Sequence, residues 1–182
     1  MKTLKDTFEE NYIAYEEPCD NKKGFRIAYR YIGLWYVYQL SDQERKRCKG
    51  TFLVCGILST IFFLGGSLQN CQLNYVTLPM FFSMLSLAAF LFECIGVLRF
   101  CLSKEKLTKP DFEEINLMLQ TAPIVHACLL VCSVAAGIYM ILHDALPLQT
   151  FLVPICYLVS CACSFYIWKR YRSILVVKEK NV

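Results

Sequence analysis

Two ionisable residues, Glu93 and His126, interrupt stretches of the sequence that are otherwise apolar. If both stretches are helical, Glu93 lies about 10 Å before the end of its stretch at Phe100, and His126 lies about 9 Å beyond Gln120, where the next stretch begins. On consecutive antiparallel helices the two side chains would therefore lie at matching depth. A carboxyl group opposite an imidazole can share a proton with it, form an ion pair or accept a hydrogen bond.

Glu93 and His126 are thus a candidate buried ionisable pair with three interpretations. We expect a structural role, in which a neutral hydrogen bond locks two helices together or Glu93 reaches the inner interface. The alternatives are proton or cation handling, and metal ligation together with Cys94 or Cys128. The sequence has two histidines and no CxxC pair, so we predict no metal site and no cofactor.

The elements that must position these residues are four uninterrupted apolar runs. Hydrophobic residues form 56% of the 182-residue chain and charged residues 19%, whereas soluble proteins are about a quarter charged. A hydrocarbon core of about 30 Å requires about 20 helical residues, and the runs lack the polar alternation of barrel strands. We therefore predict four transmembrane helices, at residues 51–68, 75–100, 122–142 and 150–168.

Lysine and arginine lie on one side of these predicted spans. Of 19 such residues, ten lie in residues 1–50, one is Arg99, three lie in the linker 101–121 and five follow residue 168. The other two loops carry only Asp144 as a formal charge. Since basic residues favour the cytoplasmic side, we expect a multi-pass protein of the cell membrane with both termini in the cytoplasm. We expect no cleavable signal, and no nucleic-acid binding despite the net charge of +4.

Most of the 11 cysteines lie inside the predicted spans, and Cys71 alone lies in an outer loop, so we expect no intramolecular disulfide on that side. Small residues at a spacing of four share one face of a helix and let neighbouring helices approach closely. We predict two such packing seams, formed by Cys128, Cys132 and Ala136 on the third span and by Cys156, Ser160 and Ser164 on the fourth.

The segment 23–40, KGFRIAYRYIGLWYVYQL, is rich in the residues that favour strands. Its alternation places Phe25, Ile27 and Tyr29 on one face, and Ile32-Gly33 could turn it into a hairpin with residues 34–40. An interfacial helix is the alternative. Because a lone hairpin is marginally stable in water, this one would have to lie against the lipid interface, the bundle or a partner.

Two helix starts are visible outside the apolar runs. Ser41-Asp42-Gln43-Glu44 fits a capping box, so the first helix is expected to begin at Asp42 and to project from the membrane. Thr108-Lys109-Pro110-Asp111 is typical of a second start, with the third helix beginning near Lys109. We expect a kink or break where that helix passes Pro123.

The order of these features is an aromatic and basic stretch, KGFRIAYRYIGLWYVYQL, then basic ERKRCK, then four spans joined by outer loops of six and seven residues. This layout resembles uncharacterised small four-span membrane proteins of low-GC Gram-positive bacteria over most of the chain. The resemblance implies no activity and no functional residues. Tetraspanins and claudins differ, because they have a large outer loop with cysteines.

The sequence therefore predicts an all-α membrane protein: an antiparallel bundle of four transmembrane helices with a short N-terminal cytoplasmic β-hairpin or interfacial segment. We divide it into an aromatic and basic segment at 1–49, the helical domain at 50–168 and a basic tail at 169–182. Motifs of hydrolases and nucleotide-binding enzymes are absent from the sequence. We expect a non-enzymatic accessory or interaction subunit that contacts the lipid bilayer and a protein partner or a second copy. A small proton- or cation-handling transporter subunit, using Glu93 and His126, is the alternative.

Overall fold

The structure is a computed structural model that describes residues 11–19, 24–143 and 147–179. The chain divides into two compact units, one made of residues 1–39, 104–112 and 176–182, and the other of residues 40–103 and 113–175. Asp144, the one charge expected in the outer loops, lies outside the described residues, as does Lys23 at the start of the predicted hairpin.

Four long helices dominate the chain: α1 (Asp42–Ser67), α2 (Thr77–Leu102), α3 (Lys109–His143) and α4 (Leu152–Arg172). Short 3-10 helices at Gln72–Tyr75 and Leu148–Phe151 precede α2 and α4. All four long helices have the length and apolar composition needed to cross a membrane. The four predicted helices are therefore confirmed as elements.

The helix starts follow the predicted capping signals. Ser41 Oγ accepts a hydrogen bond from the Glu44 amide, and the Glu44 carboxylate accepts one from the Ser41 amide at 3.1 Å. The Ser41 hydroxyl also donates to the Glu44 carboxylate at 2.8 Å, and this bond, together with the one from the Ser41 amide, lowers the pKa of the exposed Glu44 side chain. α3 begins at Lys109 as expected and continues unbroken through Pro123. A break at Pro123 is therefore absent, because a proline removes one backbone hydrogen bond while many helical residues remain on either side. A kink at Pro123, the other predicted form, stays a prediction.

Ring contacts and hydrogen bonds show that α2 packs antiparallel against both α1 and α3. From α1 to α2, the ring centroids of Phe52 and Phe100 are 5.1 Å apart and those of Phe63 and Phe90 4.9 Å apart, so residue numbers rise on α1 as they fall on α2. From α3 to α2, the Ser133 hydroxyl donates to the Pro79 carbonyl oxygen at 3.0 Å, and His126 Nδ1 lies 3.2 Å from the Ser86 carbonyl oxygen, so residue numbers again run in opposite directions.

The closest helix pair is α1 with α4, which also run antiparallel. Small residues allow this approach: the hydroxyl oxygens of Ser59 and Ser160 are 2.8 Å apart. A Cβ atom added at Gly66 would lie 2.8 Å from the Tyr157 ring and 3.1 Å from the Cys156 Cβ. Gly66 is therefore a position where the α4 side chains occupy the space that a side chain on α1 would need.

Phe63 lies at the centre of the main core cluster. Its ring is 2% exposed and contacts one ring from each other helix: Phe90 on α2, His126 on α3 at 5.2 Å and Tyr157 on α4 at 6.0 Å. The other buried members of this cluster are Leu73, Phe90, Leu130, Val134, Ile141, Val153 and Tyr157.

The unit made of residues 1–39, 104–112 and 176–182 contains two small sheets. β1 (Tyr12–Pro18) and β2 (Phe25–Tyr31) form an antiparallel hairpin in which Tyr12 pairs with Tyr31 and Pro18 with Phe25. β3 (Trp35–Tyr38) pairs antiparallel with both β4 (Lys106–Leu107) and β5 (Val176–Glu179). A hairpin near the N-terminus is thus confirmed, but its predicted pairing was wrong. β2 pairs with the strand that precedes it, and Ile32-Gly33 joins two different sheets.

Candidate functional site

Both members of the predicted ionisable pair are buried in the helical unit. Glu93 on α2 is 1% exposed and His126 on α3 is 0% exposed. His126 forms its hydrogen bonds with Ser86 and Ser160, and neither carboxylate oxygen of Glu93 has a hydrogen-bond partner among the described residues. The two side chains therefore do not form the direct hydrogen bond that the sequence suggested. Serine hydroxyls lie between them instead.

The surroundings of His126 fix which of its ring nitrogens carries a proton. Its Nδ1 lies 3.2 Å from the Ser86 carbonyl oxygen, which can only accept, so Nδ1 is the donor. In the neutral ring Nε2 is then an acceptor, and it lies 3.3 Å from the Ser160 hydroxyl oxygen. The rings of Phe63 and Phe90 lie beside the imidazole at 5.2 Å and 5.4 Å. His126 is thus held by one carbonyl and one hydroxyl inside an aromatic enclosure.

Three serines extend this network from α4 to α1. The Ser59 hydroxyl oxygen lies 2.8 Å from that of Ser160 and 3.4 Å from that of Ser164. Ser160 and Ser164 are one helical turn apart on α4, so one residue of α1 can face both. All three side chains are at most 1% exposed. They form a chain of buried hydroxyls, each of which can donate and accept.

Glu93 lies beyond the Ser164 end of this chain. The Ser164 hydroxyl interacts with the Glu93 carboxyl group, yet neither carboxylate oxygen reaches hydrogen-bonding geometry with a described residue. Burying a carboxyl group without such a bond is costly. Within this network, Glu93 is therefore the member whose side-chain oxygens form no hydrogen bond with a described residue.

Four thiols on α1, α2 and α4 interact electrostatically with the carboxyl group. The side chains of Cys55, Cys94, Cys161 and Cys163 all lie within electrostatic range of Glu93. Cys55 on α1 and Cys163 on α4 also interact with each other. In the part of the chain that the structure describes, no three histidine, cysteine or acidic side chains are grouped so as to hold a metal ion.

The two predicted packing seams have different positions in the bundle. Cys156, Ser160 and Ser164 are buried, and the two serines face Ser59 of α1. On α3, by contrast, Cys128 and Cys132 are exposed and Ala136 is half-buried. α3 buries a different face, which carries Ala122, His126, Leu130, Ser133 and Gly137. The Cys128 face is therefore directed away from the part of the chain that the structure describes.

Comparison of the chain with protein-family models, curated proteins and solved structures found no match.

Proposed function

We propose that the chain is a multi-pass protein of the plasma membrane that serves as a non-enzymatic accessory or interaction subunit. In this proposal α1 to α4 cross the bilayer and both termini lie in the cytoplasm, where most lysines and arginines would meet the anionic leaflet. The bilayer itself is then one partner, and a membrane protein or a second copy of the chain is the other.

Apolar exposure along the helices supports membrane insertion. Large apolar side chains point outward on every helix, among them Ile61 (59% exposed), Met84 (68%), Val131 (51%) and Leu158 (48%). Soluble monomers rarely expose contiguous apolar surface on this scale. Lipid would cover these side chains without any rearrangement of the bundle.

The observation that carries the interaction role is the outward face of α3. Cys128, Cys132 and Ala136 follow one another at four-residue spacing, and the two thiols are exposed. In lipid, such small-residue faces allow another helix to approach closely and gain van der Waals contact. The bulkier Val125 and Tyr139, 46% and 64% exposed, lie further along the outward side of the same helix. A transmembrane helix of a partner or of a second copy fits this face.

The β1–β2 hairpin has a second exposed apolar surface that would contact lipid or a partner. Phe25, Ile27 and Tyr29 share one face, as the alternation predicted, and are 39%, 61% and 57% exposed. On the opposite face Arg26 pairs with Glu17 at 2.7 Å. Ile27 has the largest exposed fraction of the three, and lipid headgroups or a protein partner would contact it.

Site-specific photo-crosslinking tests the interaction role. In a cysteine-free background, a single thiol is restored at position 128 and labelled with a photoreactive maleimide in native membranes. We expect a covalent adduct with one defined polypeptide, and mass spectrometry distinguishes a partner from a second copy. The matched control is Leu91→Cys on α2, which is 54% exposed and should give at most a minor adduct. Equal adducts at the two positions, or none at position 128, would contradict the proposed interface.

A further inference from the structure

We infer that the buried polar network of the helical unit is a proton relay with an acidic end and a basic end. Its members, in order, are Glu93, Ser164, Ser59, Ser160 and His126. This role is separate from the proposed interaction role, because every member lies in the interior of the bundle, whereas the proposed interface lies on the outward face of α3.

The relay is nearly continuous in space. The steps from His126 Nε2 to Ser160, from Ser160 to Ser59 and from Ser59 to Ser164 measure 3.3, 2.8 and 3.4 Å. At the far end the Ser164 hydroxyl interacts with the Glu93 carboxyl group, and the relay requires a rotation of the Glu93 side chain that forms the hydrogen bond its oxygens lack among the described residues. All five side chains are at most 1% exposed, so bulk water does not interrupt the series.

The hydrogen-bond directions allow one proton to move along the whole series. With Nδ1 of His126 donating to the Ser86 carbonyl, Nε2 accepts from Ser160, and the serines can then all donate toward the imidazole. A protonated Glu93 gives its proton to Ser164, each hydroxyl passes on the proton it held, and Ser160 protonates Nε2. Each serine gains one proton and loses one. The products are a carboxylate and an imidazolium, and the total number of protons is unchanged.

The open carboxyl group distinguishes a relay from a structural lock. If Glu93 only joined two helices, its carboxyl group should be hydrogen-bonded, because it is the costliest of these groups to bury. The Ser133 hydroxyl, elsewhere in the core, is hydrogen-bonded in this way to the Pro79 carbonyl. Both oxygens of Glu93 instead remain without such a bond among the described residues. One carboxyl group and one neighbouring hydroxyl provide few of the several oxygens that a metal cation requires. A proton, which needs one acceptor, fits this site better.

Infrared titration of the purified protein in vesicles of phosphatidylcholine and phosphatidylglycerol tests the relay. The carboxylic C=O band of Glu93, assigned by its loss in Glu93→Gln, is followed against pH. This band is distinct from the signals of the thiols that face Glu93, which belong to Cys55, Cys94, Cys161 and Cys163. If Glu93 and His126 are linked, we expect His126→Asn to move the midpoint of the band by at least about one pH unit.

Breaking the series in the middle should have a related effect. Ser160→Ala leaves both ionisable groups in place but removes the hydroxyl that joins Ser59 to the His126 imidazole, so the midpoint of the Glu93 band should shift. Ser133→Ala is the matched control, since Ser133 is equally buried but bonds to Pro79 outside the series. The relay would be overturned if Ser160→Ala left the midpoint of the Glu93 band unchanged or if Ser133→Ala shifted it equally. It would also be overturned if the band did not change with pH. Ser160→Ala keeps the test decisive if His126→Asn does not fold.

Discussion

Replacement of Glu93 by methionine is expected to raise the unfolding temperature of the bundle. Glu93 is 1% exposed, and neither of its carboxylate oxygens has a hydrogen-bond partner among the described residues. Burial of a polar group without such a bond costs about 1–3 kcal/mol in mutational data. Methionine has a similar shape and no such requirement, so most of that cost should be recovered. Thermal unfolding of the purified protein in mild detergent, followed by circular dichroism, measures the change.

The same experiment separates the structural interpretation of Glu93 from a functional one. If Glu93 locks the helices together, Glu93→Met must lower the unfolding temperature. Glu93→Gln is the matched control, because it keeps the size and polarity of the side chain and should change stability less than methionine does. Destabilisation by methionine would contradict the description of Glu93 as an open group in the core.

Truncation of Phe63 to alanine is expected to be among the most destabilising single changes in the helical unit. This ring on α1 is 2% exposed and contacts Phe90, His126 and Tyr157, one from each of the other helices. Removing a buried phenylalanine side chain typically costs about 3–5 kcal/mol, because the cavity left behind forfeits van der Waals contacts. In a bilayer those contacts, more than burial from water, hold the helices together.

Ile61→Ala is the natural comparison for Phe63→Ala. Ile61 lies two residues earlier on α1 and is 59% exposed, so its truncation should lower the unfolding temperature only slightly. Similar losses for the two variants would mean that Phe63 does not hold the four helices together. The same melting assay in mild detergent serves both proteins.

The helices could be predicted because their determinants are local. Long apolar runs and the Ser41–Glu44 capping box specify where α1 begins without reference to the rest of the chain. The strand pairing is different. β3 finds its partners at Lys106–Leu107 and Val176–Glu179, far along the sequence. β1 contains Glu16, Glu17 and Pro18, which weaken a strand signal in isolation, so the segment after β2 was the more obvious partner.

The burial of the candidate site was predictable, but its relative depth and the rotation of its helices were not. The expected matching depth was wrong: His126 lies against Ser86, which precedes Glu93 by seven residues on α2, hence by about 10 Å along the helix. Counting residues from the ends of the apolar runs suffices to place Glu93 and His126 inside the bundle. Which way each helix turns about its own axis depends on tertiary packing. His126 and Cys128 are two residues apart, hence about 200° apart around α3, so both cannot face the core. The structure buries His126 and exposes Cys128.

The serine bridge could not be read from spacing alone. Ser160 and Ser164 were recognisable as a small face of α4, but Ser59 becomes their partner only because α1 packs most closely against that face. A lone serine in an apolar helix, such as Ser59, is a weak signal until the opposing helix is known. His126 is oriented by the backbone carbonyl of Ser86. Every residue type has such a carbonyl, so the sequence does not indicate this contact.

Labelling with a membrane-impermeant maleimide in intact cells tests most directly whether the four helices cross a bilayer with both ends inside. Two exposed positions, Asn70 between α1 and α2 and Ser173 just after α4, each receive a single cysteine in a cysteine-free background. We predict that Asn70→Cys is labelled in intact cells and that Ser173→Cys is labelled only after permeabilisation. Labelling of Ser173→Cys from outside, or protection of Asn70→Cys in intact cells, would contradict this topology.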